Sequence, residues 1–438
     1  MSGLIRVFQL GSCRRWTGTV KKRAVIVVLG LAFIGVCLYF LFYKERPPAQ
    51  EGRCALRFTQ VKSPESSALA LAYQRVWKPS QQPSELKDLP EGVSSDASYF
   101  LARLCGRDVP VVVDCSKKLK LFLDKNGDGR LSDEKGIVAR AIRKSWFGPV
   151  EYYRFGPVAM QSNAHSDKSV AKFYIAADER GRALTFYPTG YMSGDVRLGA
   201  QVYRVAVVDG SFDGRYDKTA SLPFEKTWNL DCDSFALDRN NDRRFDQNYY
   251  HRSELVPLAK MFKMADTYYA ISLTADAASL ELKKIEPQFG TLDVGGADIR
   301  LKLWSDAAEQ YLCGSAQKWQ LPAGRYTALF LELSKLDSRG NNWIFETYRD
   351  TGQLRDFEIG PREARSIKIG PPFSIKTKAD RGTYRGADEV GIGFNLEGRA
   401  GEQYSGRVLK NGQPLAPPKF EIVDEGGKVL YSGKFKYG

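Results

Sequence analysis

Three times along this chain a short apolar run ends in a loop built to one pattern, and any fold must accommodate all three. The loops are Asp124-Lys125-Asn126-Gly127-Asp128-Gly129-Arg130-Leu131-Ser132, Asp209-Gly210-Ser211-Phe212-Asp213-Gly214-Arg215-Tyr216-Asp217 and Asp238-Arg239-Asn240-Asn241-Asp242-Arg243-Arg244-Phe245-Asp246. Counted from the first Asp, positions 1, 3 and 5 carry side-chain oxygen: Asp124, Asn126 and Asp128, then Asp209, Ser211 and Asp213, then Asp238, Asn240 and Asp242. Position 6 is a tight turn, position 7 offers a backbone carbonyl (Arg130, Arg215, Arg244), position 8 is apolar, and position 9 carries oxygen again (Ser132, Asp217, Asp246). An all-oxygen set in this order suits a hard cation taking roughly six to eight oxygen ligands, which points to Ca2+.

The loops depart from an EF-hand in two ways. An EF-hand loop lies between helices and ends on a bidentate Glu at position 12, where this chain has Lys135, Ala220 and Tyr249. The runs before the loops, Leu119 to Leu123, Val202 to Val208 and Ser234 to Leu237, have the composition of strands. The missing carboxylate must then come from elsewhere: Asp133 or Glu134 for the first loop, Asp217 or Glu225 for the second, Asp246 or Glu254 for the third. Without one, affinity falls to the ~10⁻⁴–10⁻³ M range of extracellular modules. Arg243 stands at the turn position of the third loop, where the backbone usually asks for glycine. Asx turns that cap their own backbone are the competing reading, but such turns do not need acids at both positions 1 and 5. Asp231 and Asp233, just ahead of the third loop, add carboxylates that repel one another without a cation.

Elsewhere the pattern is β. Val109 to Asp114, Tyr268 to Leu273, Tyr326 to Leu333 and Phe420 to Val423 are short alternating or apolar runs, rich in β-branched and aromatic residues and separated by Gly, Pro, Asn and Asp. Helix is expected only around Ser67 to Trp77 and Ala97 to Leu104. The expected order is a stalk over 44–95, rich in Pro, Ser and Gln; a β-rich calcium-loop domain over 96–287, closed by a hairpin within Tyr268 to Leu282; a β-sandwich-like domain over 288–370; and a small β domain over 371–438. The small domains are expected to be of Ig-like or transthyretin-like type.

Ala24 to Tyr43 runs about twenty residues without a charge, the length a helix needs to cross the ~30 Å hydrocarbon layer. Arg6, Arg14, Arg15, Lys21, Lys22 and Arg23 precede it with no acid among them, so the positive-inside rule places residues 1–23 in the cytoplasm as a basic tail. The chain after Lys44 is then periplasmic or extracellular. A cleaved signal peptide fits less well, because its apolar core is usually ~7–15 residues and ends at a small-residue site. Of the formal charge of +14, residues 1–46 hold +7, with eight basic residues against one acid. The remaining 57 basic and 50 acidic residues are interspersed, without the concentrated basic stripe of a nucleic-acid-binding surface. Five cysteines (Cys54, Cys105, Cys115, Cys232, Cys313) fall after the span with no CxxC spacing, which allows at most one or two disulfides and no structural zinc.

In strand-to-loop order and in the DxNxDGxLxDE, DxxxDGxYD and DxNxDxxFD motifs, residues 96–438 resemble a group of uncharacterised bacterial membrane-anchored envelope proteins with EF-hand-like loops on a β scaffold. That resemblance implies a surface-exposed, calcium-stabilised scaffold and carries no activity with it. The expected function is a membrane-tethered structural or binding protein whose partner is an envelope protein or polysaccharide. A calcium-dependent hydrolase acting on polysaccharide is the alternative. A glycosidase needs only two carboxylates, and Trp146, Trp304, Trp319 and Trp343 would stack on sugar if exposed. His165 and His251 are the only histidines and lie in no HExxH or HxH context, so zinc hydrolysis lacks ligands.

Overall fold

The computed structural model describes residues 50–61, 74–77, 84–116, 119–142, 152–161, 170–178, 183–219, 232–245, 254–296, 298–305, 307–348, 351–384, 387–404, 407–416 and 418–435. All of them fall in one compact unit, Gln50–Gly438. The expected membrane span over 24–43 and the cytoplasmic tail lie outside the described residues, as do His165, His251 and Trp146. Among the described residues no helix is long and apolar enough to cross a membrane.

The described chain is mainly β, arranged in several sheets, with a single 3-10 turn at Gly352–Arg355. Four sheets carry the region of the three loops. The first is a meander of Ser98–Leu104, Arg107–Asp114, Lys120–Leu123 and Ile137–Val138. The second runs Gln74–Trp77, Ala183–Pro188, Val170–Asp178, Tyr152–Gln161, Arg140–Ile142. The third runs Leu255–Pro257, Ser234–Leu237, Gln201–Val208, Gly190–Leu198, Arg57–Gln60, and the fourth runs Arg53–Ala55, Ser279–Ile285, Thr267–Leu273, Met261–Met264. The hairpin expected within Tyr268 to Leu282 is part of the fourth sheet.

Strand alternation decides which sheets face each other. In the first sheet the register pairs Phe100 with Val111 and Val111 with Leu123, so one face presents Phe100, Ala102, Leu104, Val111, Val113, Leu121 and Leu123. That face packs with Phe155, Met160, Phe173, Ile175, Leu184 and Phe186 of the second sheet in one buried core. The opposite face, carrying Val112 and Phe122, is covered by Leu86, Ala97 and Leu131. The third and fourth sheets share another core, including Val196, Val205, Val207, Phe235, Leu237, Phe262, Leu280 and Leu282. Burying a side chain of this size contributes about 1.5–3 kcal/mol, so these layers fix where each loop leaves its strand.

Two expectations need correction. Residues 98–104 form a strand, not a helix, and so do residues 74–77 at the end of the helix expected over Ser67 to Trp77, whose residues 67–73 lie outside the described residues. The alternation Phe100, Ala102, Leu104 is period-2, and tertiary burial of that face overrides the helix propensity of Leu and Ala. The segment read as a stalk also supplies strands to three sheets: Arg53–Ala55 pairs with Ser279–Ile285, Arg57–Gln60 with Gly190–Leu198, and Gln74–Trp77 with Ala183–Pro188. Its abundant Pro and Ser mask runs too short for periodicity to reveal.

Farther along, Lys318–Pro322, Phe289–Asp293 and Ala364–Ser366 form one sheet, and Gln310–Gly314, Asp298–Ser305, Gly324–Leu336, Asn342–Tyr348 and Val408–Lys410 run in order through another. They share a core with Leu292, Leu301, Tyr326, Leu331 and Ile359. This core continues past residue 370: Tyr404 is buried in it, and Val408–Lys410 hydrogen-bonds to Asn342–Tyr348. Two hairpins, Ser374–Tyr384 with Ala387–Glu397 and Lys419–Val423 with Val429–Lys434, complete the described chain.

Candidate metal centres

Each Asp-rich loop follows a strand directly: Lys120–Leu123, Gln201–Val208 and Ser234–Leu237. The first oxygen of each loop is therefore set by a sheet, and position 1 is buried in all three, at Asp124, Asp209 and Asp238. Position 8 is held by packing. Leu131 enters the cluster with Val112 and Phe122, Tyr216 lies against the core of the third and fourth sheets, and Phe245 joins Ala206, Val208, Ala236 and Leu255. Phe245 also meets Tyr191 edge-on at 6.2 Å and lies beneath the Arg204 guanidinium at 5.4 Å.

Between these fixed ends the loops share one hydrogen-bond scheme. The position-6 N–H donates to Oδ2 of the position-1 Asp: Gly129 to Asp124 at 3.0 Å, Gly214 to Asp209 at 2.9 Å, Arg243 to Asp238 at 2.8 Å. The position-7 N–H donates to Oδ1 of the position-5 Asp at 2.8 Å in all three, from Arg130, Arg215 and Arg244 to Asp128, Asp213 and Asp242. Positions 4 and 6 both adopt left-handed backbone: Gly127 and Gly129 at φ 83° and 80°, Phe212 and Gly214 at 55° and 80°, Asn241 and Arg243 at 62° and 65°. Arg243 thus takes the conformation its position requires despite its side chain.

The reason glycine is absent only there lies in what covers the turn. A Cβ on Gly129 would stand 2.6 Å from the Glu85 carbonyl oxygen, and one on Gly214 would stand 2.8 Å from the Val170 backbone. Arg243 is exposed, so its side chain has room and only the left-handed conformation costs.

A further carboxylate reaches position 2 of every loop. Glu134 Oε1 accepts from Lys125 N at 2.7 Å, Asp233 Oδ1 from Gly210 N at 3.2 Å, and Glu254 Oε1 from Arg239 N at 2.6 Å. Glu134 and Glu254 were among the expected replacements for position 12. In the second loop the carboxylate at position 2 is Asp233, while of the two expected candidates Asp217 is engaged by the Arg215 side chain at 3.0 and 2.7 Å and Glu225 lies outside the described residues. Strand register explains both distant carboxylates. Val208 pairs with Ser234, which sets Asp209 beside Asp233, and Ala236 pairs with Leu255, which brings Glu254 to the start of the third loop.

The other expected residues are distributed as follows. Asn126 accepts from Asp128 N at 3.1 Å and donates to Asp133 at 3.0 Å, and Asn240 accepts from Asp242 N at 3.0 Å. Ser132 donates to Asp88 Oδ2 at 2.9 Å. Ser211 Oγ lies 3.4 Å from Asp209 Oδ1 and 3.1 Å from Asp233 Oδ1. Asp246 lies outside the described residues.

The second loop is the most charged interior. Asp209, Ser211, Asp213 and Asp233 are all buried. Burial, with Asp213 close by, pushes the Asp209 carboxyl up to about 7, and burial, with Asp209 close by, raises Asp233 well above the usual carboxylate range. Deprotonated carboxylates in such a place need a cation. Among the described residues no three His, Cys, Asp or Glu side chains form a metal-holding group. Loops of this kind also draw on Asn, Ser and backbone carbonyl oxygen, and each Asp oxygen that accepts one N–H keeps a second lone pair. The donor set, all oxygen and predominantly anionic, fits a hard divalent ion.

The remaining candidate groups are structural in their surroundings. The Trp304 and Trp343 indoles donate to Glu309 and Asp337 at 3.1 and 3.0 Å, and Trp319 packs against the core that holds Leu292, Tyr326 and Leu331. Cys54, Cys105 and Cys313 are free thiols, with burial pushing Cys54 and Cys105 up to about 12. Comparison of the chain with protein-family models, with curated proteins and with solved structures gives no match.

Proposed function

We propose that this chain is a membrane-tethered, extracytoplasmic structural or binding protein in which Ca2+ at three strand-flanked, EF-hand-like loops stiffens a β domain. The observation that carries this reading is the repetition at three unrelated positions of one arrangement: position-6 N–H on the position-1 carboxylate, two left-handed residues, and an added carboxylate at position 2. The strand flanks make the ion a structural element, because the loops lack the helix pair that a calcium sensor opens. In the first loop the ion is assigned to Asp124, Asn126, Asp128, the Arg130 carbonyl and Glu134, with Ser132 at position 9. In the second it is assigned to Asp209, Ser211, Asp213, the Arg215 carbonyl and Asp233. In the third it is assigned to Asp238, Asn240, Asp242, the Arg244 carbonyl and Glu254.

The tether is read from the charge-free run Ala24 to Tyr43 and the basic residues before it. That placement supplies a compartment where calcium is abundant and weak sites suffice. The sheets beyond residue 288, read as small Ig-like or transthyretin-like sandwiches, are assigned to contact with an envelope protein or polysaccharide. The test is isothermal titration of the chelator-treated full chain with calcium. Heat from more than one site supports the reading, and no heat up to 10 mM calcium, roughly ten times the weakest affinity of extracellular modules, overturns it.

A further inference from the structure

We infer that Asp88 is the positioning residue of the first loop, and that the segment 84–93 acts as a strap whose seating and the calcium affinity of that loop are one equilibrium. The inference rests on the calcium reading of the first loop and goes beyond it by assigning a residue outside every Asp-rich motif.

Asp88 makes four contacts to the loop exit. Its Oδ1 accepts from Leu131 N at 3.0 Å and Ser132 N at 3.3 Å, its Oδ2 accepts from the Ser132 hydroxyl at 2.9 Å, and its carbonyl accepts from Leu131 N at 3.4 Å. Its neighbours add to the seating. Lys87 N donates to the Gly129 carbonyl at 2.9 Å, Lys87 Nζ to the Asp128 carbonyl at 2.5 Å, and Leu86 packs in the same cluster as Leu131. The Glu85 carbonyl lies over Gly129 closely enough to exclude a Cβ. Positions 5, 6, 8 and 9 of the loop are thus all touched by a segment roughly forty residues earlier in sequence.

The chemistry follows from the hydroxyl. Ser132 has one O–H, and it donates that to Asp88, so only the lone pairs of Oγ remain to face a cation or its bound water. The two N–H bonds fix the backbone that carries this oxygen. Outer groups that orient a ligand in this manner change metal affinity by about 10–100-fold when removed. Among the described residues the hydrogen bonds that seat the strap go to the first loop, so the second and third loops serve as internal references.

The experiment is hydrogen exchange read by mass spectrometry on the full chain in detergent, titrated with calcium, comparing wild type with Asp88→Asn and Ser132→Ala. In the wild type, calcium slows exchange in 84–93 and in 124–132 with one shared midpoint. Asp88→Asn raises that midpoint at least tenfold, while the midpoints at the second and third loops stay within twofold, which a general loss of packing would not allow. Ser132→Ala, a milder change, raises the first-loop midpoint in the same direction, and the double variant adds less than the product of the two. A strap whose exchange ignores calcium while the first loop saturates overturns the inference and leaves the calcium reading intact. An unchanged first-loop midpoint in both variants does the same. A first loop that never responds to calcium overturns both.

Discussion

The Ser211 hydroxyl lies 3.1 Å from Oδ1 of Asp233 and also within 3.4 Å of Asp209 Oδ1, so two buried carboxylates at the ends of neighbouring strands converge on one oxygen. Strand pairing, not loop sequence, brings them together, since Val208 faces Ser234 across the ladder. A fold that buries like charges at this separation is built either for protons or for a cation, and several measurements separate the two.

Replacing Asp233 by Asn removes one of the like charges. Without metal, Asp233→Asn is expected to stabilise the chain by no more than about 1 kcal/mol, because relief of the repulsion with Asp209 is offset where the amide NH2 replaces an oxygen that accepts from Lys218 N or from Gly210 N, Ser211 N and Ser211 Oγ. In calcium the same variant loses the increment from the second loop, so the two conditions move in opposite directions. Chemical denaturation with and without chelator reads both.

The same pair sets a pH dependence. Asp209 has its folded pKa raised to about 7, above the unfolded carboxylate value of about 3.9, and Asp233 is raised as well. Above the unfolded value the folded chain binds more protons than the unfolded one, so their contribution to stability falls as pH rises, for Asp209 through about 7. The metal-free wild type should therefore lose less stability on acidification from pH 8 to 5 than Asp233→Asn. In calcium the order reverses, because protons compete with the ion. Denaturation curves at both pH values check the sign.

Position 6 gives a paired test. Gly129→Ala places a methyl 2.6 Å from the Glu85 carbonyl at φ 80°, and should cost about 1–3 kcal/mol. Arg243→Gly relieves an exposed left-handed residue, keeps the carbonyl that accepts from Arg204 at 2.9 Å, and should raise stability by up to about 1 kcal/mol. Effects of opposite sign at the two turns would be hard to produce by surface charge alone.

Phe212 fills position 4 of the second loop at φ 55° and is buried edge-on against Phe173 and Phe186, with ring centroids at 5.8 and 6.4 Å. It ties the loop to the core of the first two sheets. Phe212→Ala should cost about 3–5 kcal/mol and weaken calcium binding at the second loop alone. A thermal melt and a calcium titration of the same preparation test the two effects separately.

The strands that precede the loops were legible in sequence because their apolar runs are short, β-branched and stopped by Asp. So was position 8 of each loop, as an apolar residue in a polar run. The strand Ser98–Leu104 was not, since Leu, Ala and Arg favour helix and only the burial of Phe100, Ala102 and Leu104 on one face reveals period-2 spacing. Glu134 and Glu254 were readable as candidates. Asp233 was visible as an excess carboxylate, yet its assignment to the second loop depends on the ladder between Gln201–Val208 and Ser234–Leu237, which no local pattern encodes. Asp88 lay hidden in a segment whose prolines and serines read as linker.

The most direct measurement is the melting temperature of the full chain in 10 mM calcium against excess chelator, with Asp124→Ala plus Asp128→Ala alongside. Sites of ~10⁻⁴–10⁻³ M affinity contribute about 1.4–2.7 kcal/mol each at that concentration. The expected result is a calcium-dependent rise of several degrees in the wild type and a smaller rise in the double variant. Identical melting temperatures with calcium and with chelator would contradict the assignment of calcium to these loops.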